Sequence, residues 1–242
     1  MKLAIDIGNT STTIGLFDNY NLLKKTHVLS IDESIDFFNT MKIYDVKQTI
    51  ISSVVPDLTK KYDKILKDIY HWNSFVISYK HTALDTIVNE PETIGIDRLC
   101  NMEAVKKDYS TPAIIIDFGT ATTYDVINSE NQFLGGAIAT GIELSSKYLI
   151  DKAALLKKTN LIFPKQAIGV DTATNIQSGI MFGAIDQVEG MICRINKETN
   201  TEHEIVLTGG FSKLISPKLK IPHTIDIDLT LKGIIYIFEY NN

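Results

Sequence analysis

One short pattern occurs twice in this chain, and its copies lie 111 residues apart (117 − 6) in a sequence of 242 residues. The first copy is Asp6-Ile7-Gly8-Asn9-Thr10, and the second is Asp117-Phe118-Gly119-Thr120. Each follows an apolar run and leads through small hydroxyl residues into another apolar segment, which predicts a strand, a tight turn and a strand. Repetition at about half the chain length predicts two similar domains, 1–111 and 112–242.

The residue types in these turns suit phosphate binding. Glycine allows the backbone to approach a ligand, backbone N–H groups and threonine hydroxyls can donate to phosphate oxygens, and an aspartate at a strand end can hold a cation or its waters. A single Asp-x-Gly turn more often serves only to shape a hairpin. Duplication favours function, because two such turns that face each other would form a phosphate clamp.

Composition limits the choice of partners and compartment. The net charge is −5, from 24 basic and 29 acidic residues, and no dense run of Lys or Arg predicts a nucleic-acid surface. The sequence has no signal-peptide pattern and no apolar run of about 18 residues, so we expect a cytoplasmic protein that is not membrane-bound. Cys100 and Cys193 lie in apolar, helix-like segments, which predicts buried thiols in a reducing compartment.

Apolar periodicity predicts alternating strands and helices, which is typical of an α/β fold. Residues 79–93 lack such periodicity and predict a loop that could act as a lid or substrate surface. Besides the two hairpins, strands are predicted at 22–29, 48–55, 74–78, 133–138 and 204–207. Helices are predicted at 32–41, with Asp32 opening the first, and at 57–70, 96–107, 142–156, 172–196 and 229–238.

A carboxylate and a guanidinium stand side by side in Gly95-Ile96-Asp97-Arg98, where the loop meets a predicted helix. An aspartate beside a bound alcohol can accept or orient its proton, and an arginine offers a planar fork to a substrate carboxylate. The alternative is an aspartate that caps the helix and an arginine in solvent, which is the commoner situation for an isolated pair.

Other patterns exclude functions or remain ambiguous. The chain has neither a P-loop nor a Gly-x-Gly-x-x-Gly motif, and its histidines and serines lack metal-ligand or nucleophile-elbow spacing. Gly135-Gly136 is expected to end a strand. Thr208-Gly209-Gly210 could present flat backbone to a nucleobase or form a plain turn.

Taken together, these motifs resemble those of the type III pantothenate kinases, in the superfamily of acetate and sugar kinases, heat-shock proteins and actin. The resemblance covers almost the whole chain and implies two ribonuclease-H-like domains, as in actin-like ATPases, with a cleft between them. It implies ATP-dependent phosphorylation of pantothenate to 4'-phosphopantothenate, the first step of coenzyme A biosynthesis, with ATP bound together with Mg²⁺.

The resemblance also implies a role for individual residues. Asp97 would be the catalytic base, and Asp117 would hold a monovalent cation, K⁺ or NH₄⁺. A homodimer would bind substrate near its subunit interface. Pantothenate would contact Gly95, Ile96, Asp97, Arg98 and Thr172. The ATP phosphates would contact Asp6, Ile7, Gly8, Asn9, Thr10, Ser11, Thr12, Thr13 and Thr120.

Two positions depart from the family pattern. Val88 stands where the family has a tyrosine, which removes an aromatic substrate contact, and Thr140 stands where it has a proline, which changes loop stiffness. Two other functions remain open. A non-catalytic transcription-accessory relative could keep this fold, although retention of all three polar motifs argues against it. Another small-molecule kinase or an ATPase of the superfamily would keep the roles of Asp6 and Asp117 but not those of residues 95–98.

Overall fold

The computed structural model describes residues 1–153 and 159–242, which form two compact units. The first unit combines Met1–Tyr109 with Asp228–Asn242, and the second is Ser110–Ile227. The division predicted from the sequence, 1–111 and 112–242, differs in its last segment. A buried helix can be predicted from periodicity, but the sheet against which it packs cannot.

The first unit is built on a mixed five-stranded sheet with the order β3-β2-β1-β4-β5. Antiparallel pairing joins the first three strands, and parallel pairing joins β1 to β4 and β4 to β5. The strands of this unit are β1 (Lys2–Ile7), β2 (Thr12–Asp18), β3 (Asn21–Val28), β4 (Gln48–Ser53), β5 (Ser74–Val76) and the two-residue β6 (Asp85–Thr86). Its helices are α1 (Ile31–Met41), α2 (Pro56–Tyr70), α3 (Ile96–Asp108) and α7 (Leu229–Tyr240).

The middle of β1, Leu3-Ala4-Ile5, is a continuous apolar run because helices cover both faces of the sheet. Leu3 and Ile5 pack on one face in a core shared with α1 and α2, and Ala4 packs on the other face with α3 and α7. Helix α7 approaches α3 closely at Gly233, where a Cβ atom would collide with the carbonyl oxygen of Cys100. The C-terminal helix thereby becomes part of the first core.

The second unit repeats this arrangement with the strand order β11-β10-β7-β8-β9. Strands β7, β8 and β9 pair antiparallel in sequence, and β10 pairs parallel with β7. The strands are β7 (Ala113–Phe118), β8 (Ala121–Ile127), β9 (Gln132–Thr140), β10 (Glu204–Thr208) and β11 (Thr224–Ile225). The helices are α4 (Ile142–Lys152), α5 (Thr172–Thr199) and the short α6 (Ser212–Ile215). The predicted end of the 142–156 helix lies outside the described residues.

Each unit therefore places an antiparallel hairpin beside a parallel strand in a sheet with helices packed against it, which is the ribonuclease-H-like arrangement. The predicted α/β class with two ribonuclease-H-like domains is confirmed. Long helix α5 buries Met181, Val188 and Ile192 against the second sheet, as its apolar spacing predicts. None of the described helices is both long and apolar enough to cross a bilayer.

Several local predictions were wrong. Helix α1 is capped by Ser30, whose hydroxyl accepts from the backbone of Glu33 at 3.2 Å, and Asp32 lies inside the first turn. Gly135 and Gly136 lie inside β9, where the register with β8 shifts. Cys100 is buried as predicted, but Cys193 is exposed. The 79–93 loop also contains two 3₁₀ turns, Tyr79–His81 and Pro91–Thr93, besides β6.

Candidate active site

Asp6 lies near the carboxyl end of β1, between two hydroxyl residues on the neighbouring strands. Thr13 of β2 and Ser52 of β4 are its register partners. We call these three residues the Asp6 row. The Ser52 hydroxyl is fully buried and donates to Asp6 Oδ1 at 3.0 Å, so the sheet fixes the orientation of the carboxylate. Thr13 Oγ1 lies 3.1 Å from His27 Nδ1 on β3.

The loop after Asp6 is a tight hairpin connection. The backbone N–H of Gly8 donates to the carbonyl of Ser11 at 2.9 Å, and Asn9 and Thr10 between them are exposed. Exposed backbone and hydroxyl groups in such a loop can donate to an anion. Eight of the nine residues predicted to bind ATP, all except Thr120, thus lie in one hairpin. The side chain of Ile7, however, is buried in the core, so only its backbone could meet a ligand.

Asp97 lies in the first turn of α3, directly after Gly95. Its Oδ1 accepts from the backbone N–H of Arg98 at 2.8 Å, and a Cβ atom on Gly95 would lie 2.5 Å from the same oxygen. A side chain at position 95 would therefore displace the carboxylate. Burial raises the pKa of Asp97 above its ordinary value, and the hydrogen bond and charge of Arg98 only partly oppose this shift.

The structure brings these two motifs to one end of the first sheet. Val54 connects them, since its N–H donates to the carbonyl of Ile7 at 3.1 Å and its Cγ1 would lie 3.7 Å from a Cβ on Gly95. Cys100 lies one turn along α3 from Asp97, and both carboxylates affect its pKa. Burial raises its pKa well above the ordinary value, and the charges of Asp6 and Asp97 raise it further.

Asp117 occupies the equivalent place in the second unit. It lies near the end of β7, with Thr123 of β8 and Thr208 of β10 as register partners, and we call these three residues the Asp117 row. Its carboxylate lies against Gly209, which has a φ of +85° and no room for a Cβ atom beside Asp117 Oδ1. The Thr123 hydroxyl is buried and has no hydrogen-bond partner among the described residues.

The turn of the second hairpin accepts a hydrogen bond from Gly141, which lies outside the hairpin. Gly119 donates to the carbonyl of Ala121 at 3.1 Å, and the carbonyl of Thr120 accepts from Gly141 at 3.1 Å. A Cβ on Gly141 would overlap the carbonyls of both turn residues. This contact fixes the backbone of Thr120 and leaves its side chain exposed.

Thr172 is the exposed first residue of α5. Asp171 caps this helix, because its Oδ1 accepts from the backbone of Thr174 at 2.8 Å. The hydrogen bonds from Thr174 lower the pKa of Asp171. Within the described residues, the Thr172 side chain makes no hydrogen bond to the Asp117 row. Its predicted contact with pantothenate therefore remains a prediction.

Neither Ser52 nor Thr123 is among the site residues predicted from the sequence. Ser52 ends a run of buried β-branched residues, a polar signal that becomes meaningful only once the β1–β4 register is known. Thr123 corresponds to Thr13 in the duplicated pattern. The two copies could therefore have suggested it, because both threonines pair with the motif aspartate.

Comparison with known proteins gives a consistent result over the full length. The family model for type III pantothenate kinase matches residues 2–194. The chain belongs to the type III pantothenate kinase family. It is 34% identical over 254 residues to the type III pantothenate kinase of Halalkalibacterium halodurans, and the match covers 100% of both chains. It is 35% identical over 253 residues to that of Moorella thermoacetica, again with 100% of both chains covered.

A solved structure extends the comparison to the fold. A Campylobacter jejuni protein described as a candidate transcriptional activator of the Baf family superimposes with a TM-score of 0.67. The match covers 99% of this chain and 98% of the other, at 21% sequence identity. At that identity the likeness concerns the fold alone.

Proposed function

We propose that this chain transfers the γ-phosphoryl group of ATP to the terminal hydroxyl of pantothenate, the first step of coenzyme A biosynthesis. Membership of the kinase family supports ATP with a divalent metal as the donor. The observation that carries the residue-level proposal is Asp97, a partly buried carboxylate with a raised pKa, held at the start of α3 beside Gly95.

Asp97 acts as the base in this proposal. The pantothenate hydroxyl oxygen forms a bond to the γ-phosphorus, its proton passes to the Asp97 carboxylate, and the bond to the β-phosphate bridging oxygen breaks to release ADP. A carboxylate with a raised pKa is a better proton acceptor, and it remains ionised as long as the pH stays above that pKa. The adjacent Arg98 supplies a guanidinium for the pantothenate carboxylate.

The Asp6 row and its hairpin serve the phosphates of ATP. The loop of residues 8–11, which is exposed at Asn9 and Thr10, offers backbone and side-chain donors, and the exposed Thr120 offers a further hydroxyl. Asp6 suits a magnesium ion or its bound waters, because Mg²⁺ prefers carboxylate and water oxygens. Bound Mg²⁺ would neutralise charge that develops on the transferred group.

Asp117 is the proposed ligand of a monovalent cation, K⁺ or NH₄⁺. The fit is supported by the buried Thr123 hydroxyl, which lacks a partner among the described residues and is the register partner of Asp117. A buried hydroxyl without a partner is costly, and a cation would accept its lone pair. Thr123 is therefore included with Asp117 in this site.

A second copy of the chain is the proposed partner. Ile168 and Val170 are 81% and 84% exposed, directly before the first residue of α5, Thr172, the proposed pantothenate contact. Large apolar side chains at such exposure suit a subunit interface. Light scattering should show a dimer that Val170→Asp dissociates, whereas Ile43→Asp, at a position 80% exposed in the first unit, should leave it intact.

The activity test follows the product directly. Purified protein is incubated with ATP, Mg²⁺ and pantothenate in K⁺ or in Na⁺ at equal ionic strength, and phosphopantothenate is measured by mass spectrometry. We expect stoichiometric phosphopantothenate and ADP in K⁺ and much less product in Na⁺. Lack of turnover with pantothenate would refute the proposal, and turnover of other alcohols instead would indicate another kinase of this fold.

A further inference from the structure

The buried hydroxyl of Ser52 connects the candidate phosphate site to the interior of the first unit. Ser52 is the register partner of Asp6 across the parallel β1–β4 pair, and it is fully buried. Its Oγ donates to Asp6 Oδ1 at 3.0 Å. A hydrogen bond to an ionised acceptor is stronger than one between neutral groups, so this contact selects one orientation of the Asp6 side chain.

Cys100 of α3 lies beside Ser52. Its side chain is fully buried and packs in an apolar cluster with Ala4 of β1 and Ile50 of β4. A serine hydroxyl has a single proton, and the proton of Ser52 is directed to Asp6 Oδ1.

The backbone that carries Cys100 is itself constrained. Gly233 of α7 lies against the Cys100 carbonyl so closely that no other residue type fits there. The helix that lies beside Ser52 is therefore packed closely against α7, and the Ser52 hydrogen bond fixes the carboxylate of Asp6. A carboxylate that must meet a metal or its waters benefits from such fixed orientation, because the ligand need not order it on binding.

We propose that Ser52 is a positioning residue for the nucleotide, holding the Asp6 carboxylate in the orientation that receives the magnesium of MgATP. The proposal depends on the assignment of Asp6 to ATP under the proposed function. It adds a residue on a different strand, 46 positions away in sequence.

The test measures nucleotide binding without turnover. Titration calorimetry gives the affinity for ADP with Mg²⁺ and with a chelator, and the ratio of the two is the magnesium-dependent gain. Ser52→Ala should reduce this gain by about tenfold, the usual size for loss of a hydrogen bond to a charged group. Ser52→Thr keeps the hydroxyl and should restore most of the gain.

Two controls separate positioning from packing. Ser34→Ala removes another fully buried serine hydroxyl, one that lies 2.5 Å from Tyr62 Oη, and should leave the gain unchanged. In an Asp6→Ala background, Ser52→Ala should have no further effect, because its target is gone. A purely structural role would instead weaken binding in both backgrounds.

The possible failures are distinguishable. If Ser52→Ala folds with a wild-type magnesium-dependent gain, or if its effect persists without Asp6, Ser52 is not a positioning residue and the proposed kinase activity is unaffected. If the unsubstituted protein binds MgADP but does not phosphorylate pantothenate, the proposed function fails while the binding data still decide the role of Ser52.

Discussion

The Asp6 row and the Asp117 row place an aspartate at the same position in the two sheets, but the buried hydroxyl groups beside it differ in their hydrogen bonds. In the Asp6 row, Ser52 is a buried hydroxyl that donates to the carboxylate at 3.0 Å. In the Asp117 row, Thr123 is a buried hydroxyl that makes no hydrogen bond within the described part of the chain. The same type of sheet thus places a buried serine donor on one carboxylate and a buried threonine oxygen beside the other.

This difference carries functional information because a buried hydroxyl without a partner costs on the order of 1–3 kcal/mol. Such a group persists where a ligand completes its bonding. The comparison therefore supports the proposed roles of Ser52 in orienting Asp6 and of Thr123 in binding the cation. The variants below test that division.

The largest effect is expected at Asp97, which separates chemistry from binding in the first unit. Asp97→Asn keeps the shape but removes the base, so kcat should fall about 10²- to 10⁴-fold. The affinity for MgADP, measured by calorimetry, should stay near the wild-type value. Near-full activity of this variant would show that Asp97 is not the base.

The two aspartates should differ in the ion whose effect depends on them, which alanine substitutions can test. Asp6→Ala should lower the affinity for MgADP about tenfold to a hundredfold, and Asp117→Ala should abolish the activation by K⁺ with a smaller effect on MgADP. Titrations of Mg²⁺ and K⁺ in both variants give the answer. If both variants lose the same ion dependence, the proposal that Asp6 serves Mg²⁺ and Asp117 serves K⁺ is wrong.

The space around a glycine decides whether an alanine can replace it. Gly95→Ala would place a methyl group 2.5 Å from Asp97 Oδ1 and should lower kcat about tenfold to a hundredfold by displacing the base. Gly190→Ala on the exposed side of α5 would meet no atom of the described residues within 4 Å and serves as the control, with kcat within about twofold. Equal effects would show that the Asp97 orientation is unimportant.

Thr123→Val and Ser52→Ala should change stability in opposite directions. Without K⁺, Thr123→Val removes an unpaired hydroxyl and should raise stability by up to about 1 kcal/mol, whereas Ser52→Ala should lower it by a similar amount. Thr123→Val should also raise the K⁺ concentration for half-activation several-fold, and Thr123→Ser should not. Thermal unfolding with and without K⁺ would reveal a contrary sign.

The smallest effect concerns pH and distinguishes Asp97 from an ordinary surface carboxylate. Since its pKa is raised by folding, the folded state binds the proton more tightly, and stability falls as pH rises from the ordinary aspartate value through the raised one. Asp97→Asn should remove this slope and be slightly more stable at neutral pH. Unfolding curves across the acid range measure it, and an unchanged slope would contradict the shift.

Much of the fold follows from the sequence because its signals are local. The duplicated turns predict both hairpins, and the three- and four-residue spacing of apolar side chains predicts α5. The role of Ser52 could not be predicted, because it depends on a strand register between residues distant in sequence. The location of α7 could not be predicted for a related reason, since the apolar residues of a helix do not specify the sheet against which it packs.

The packing of α7 has a consequence for how the protein is made. Helix α3, which carries Asp97, packs against α7, so the core of the first unit remains incomplete until residues 228–242 have emerged from the ribosome. The second unit is continuous in sequence and can complete its core earlier. We therefore expect the candidate catalytic helix to be among the last parts of the nascent protein to become protected from proteases.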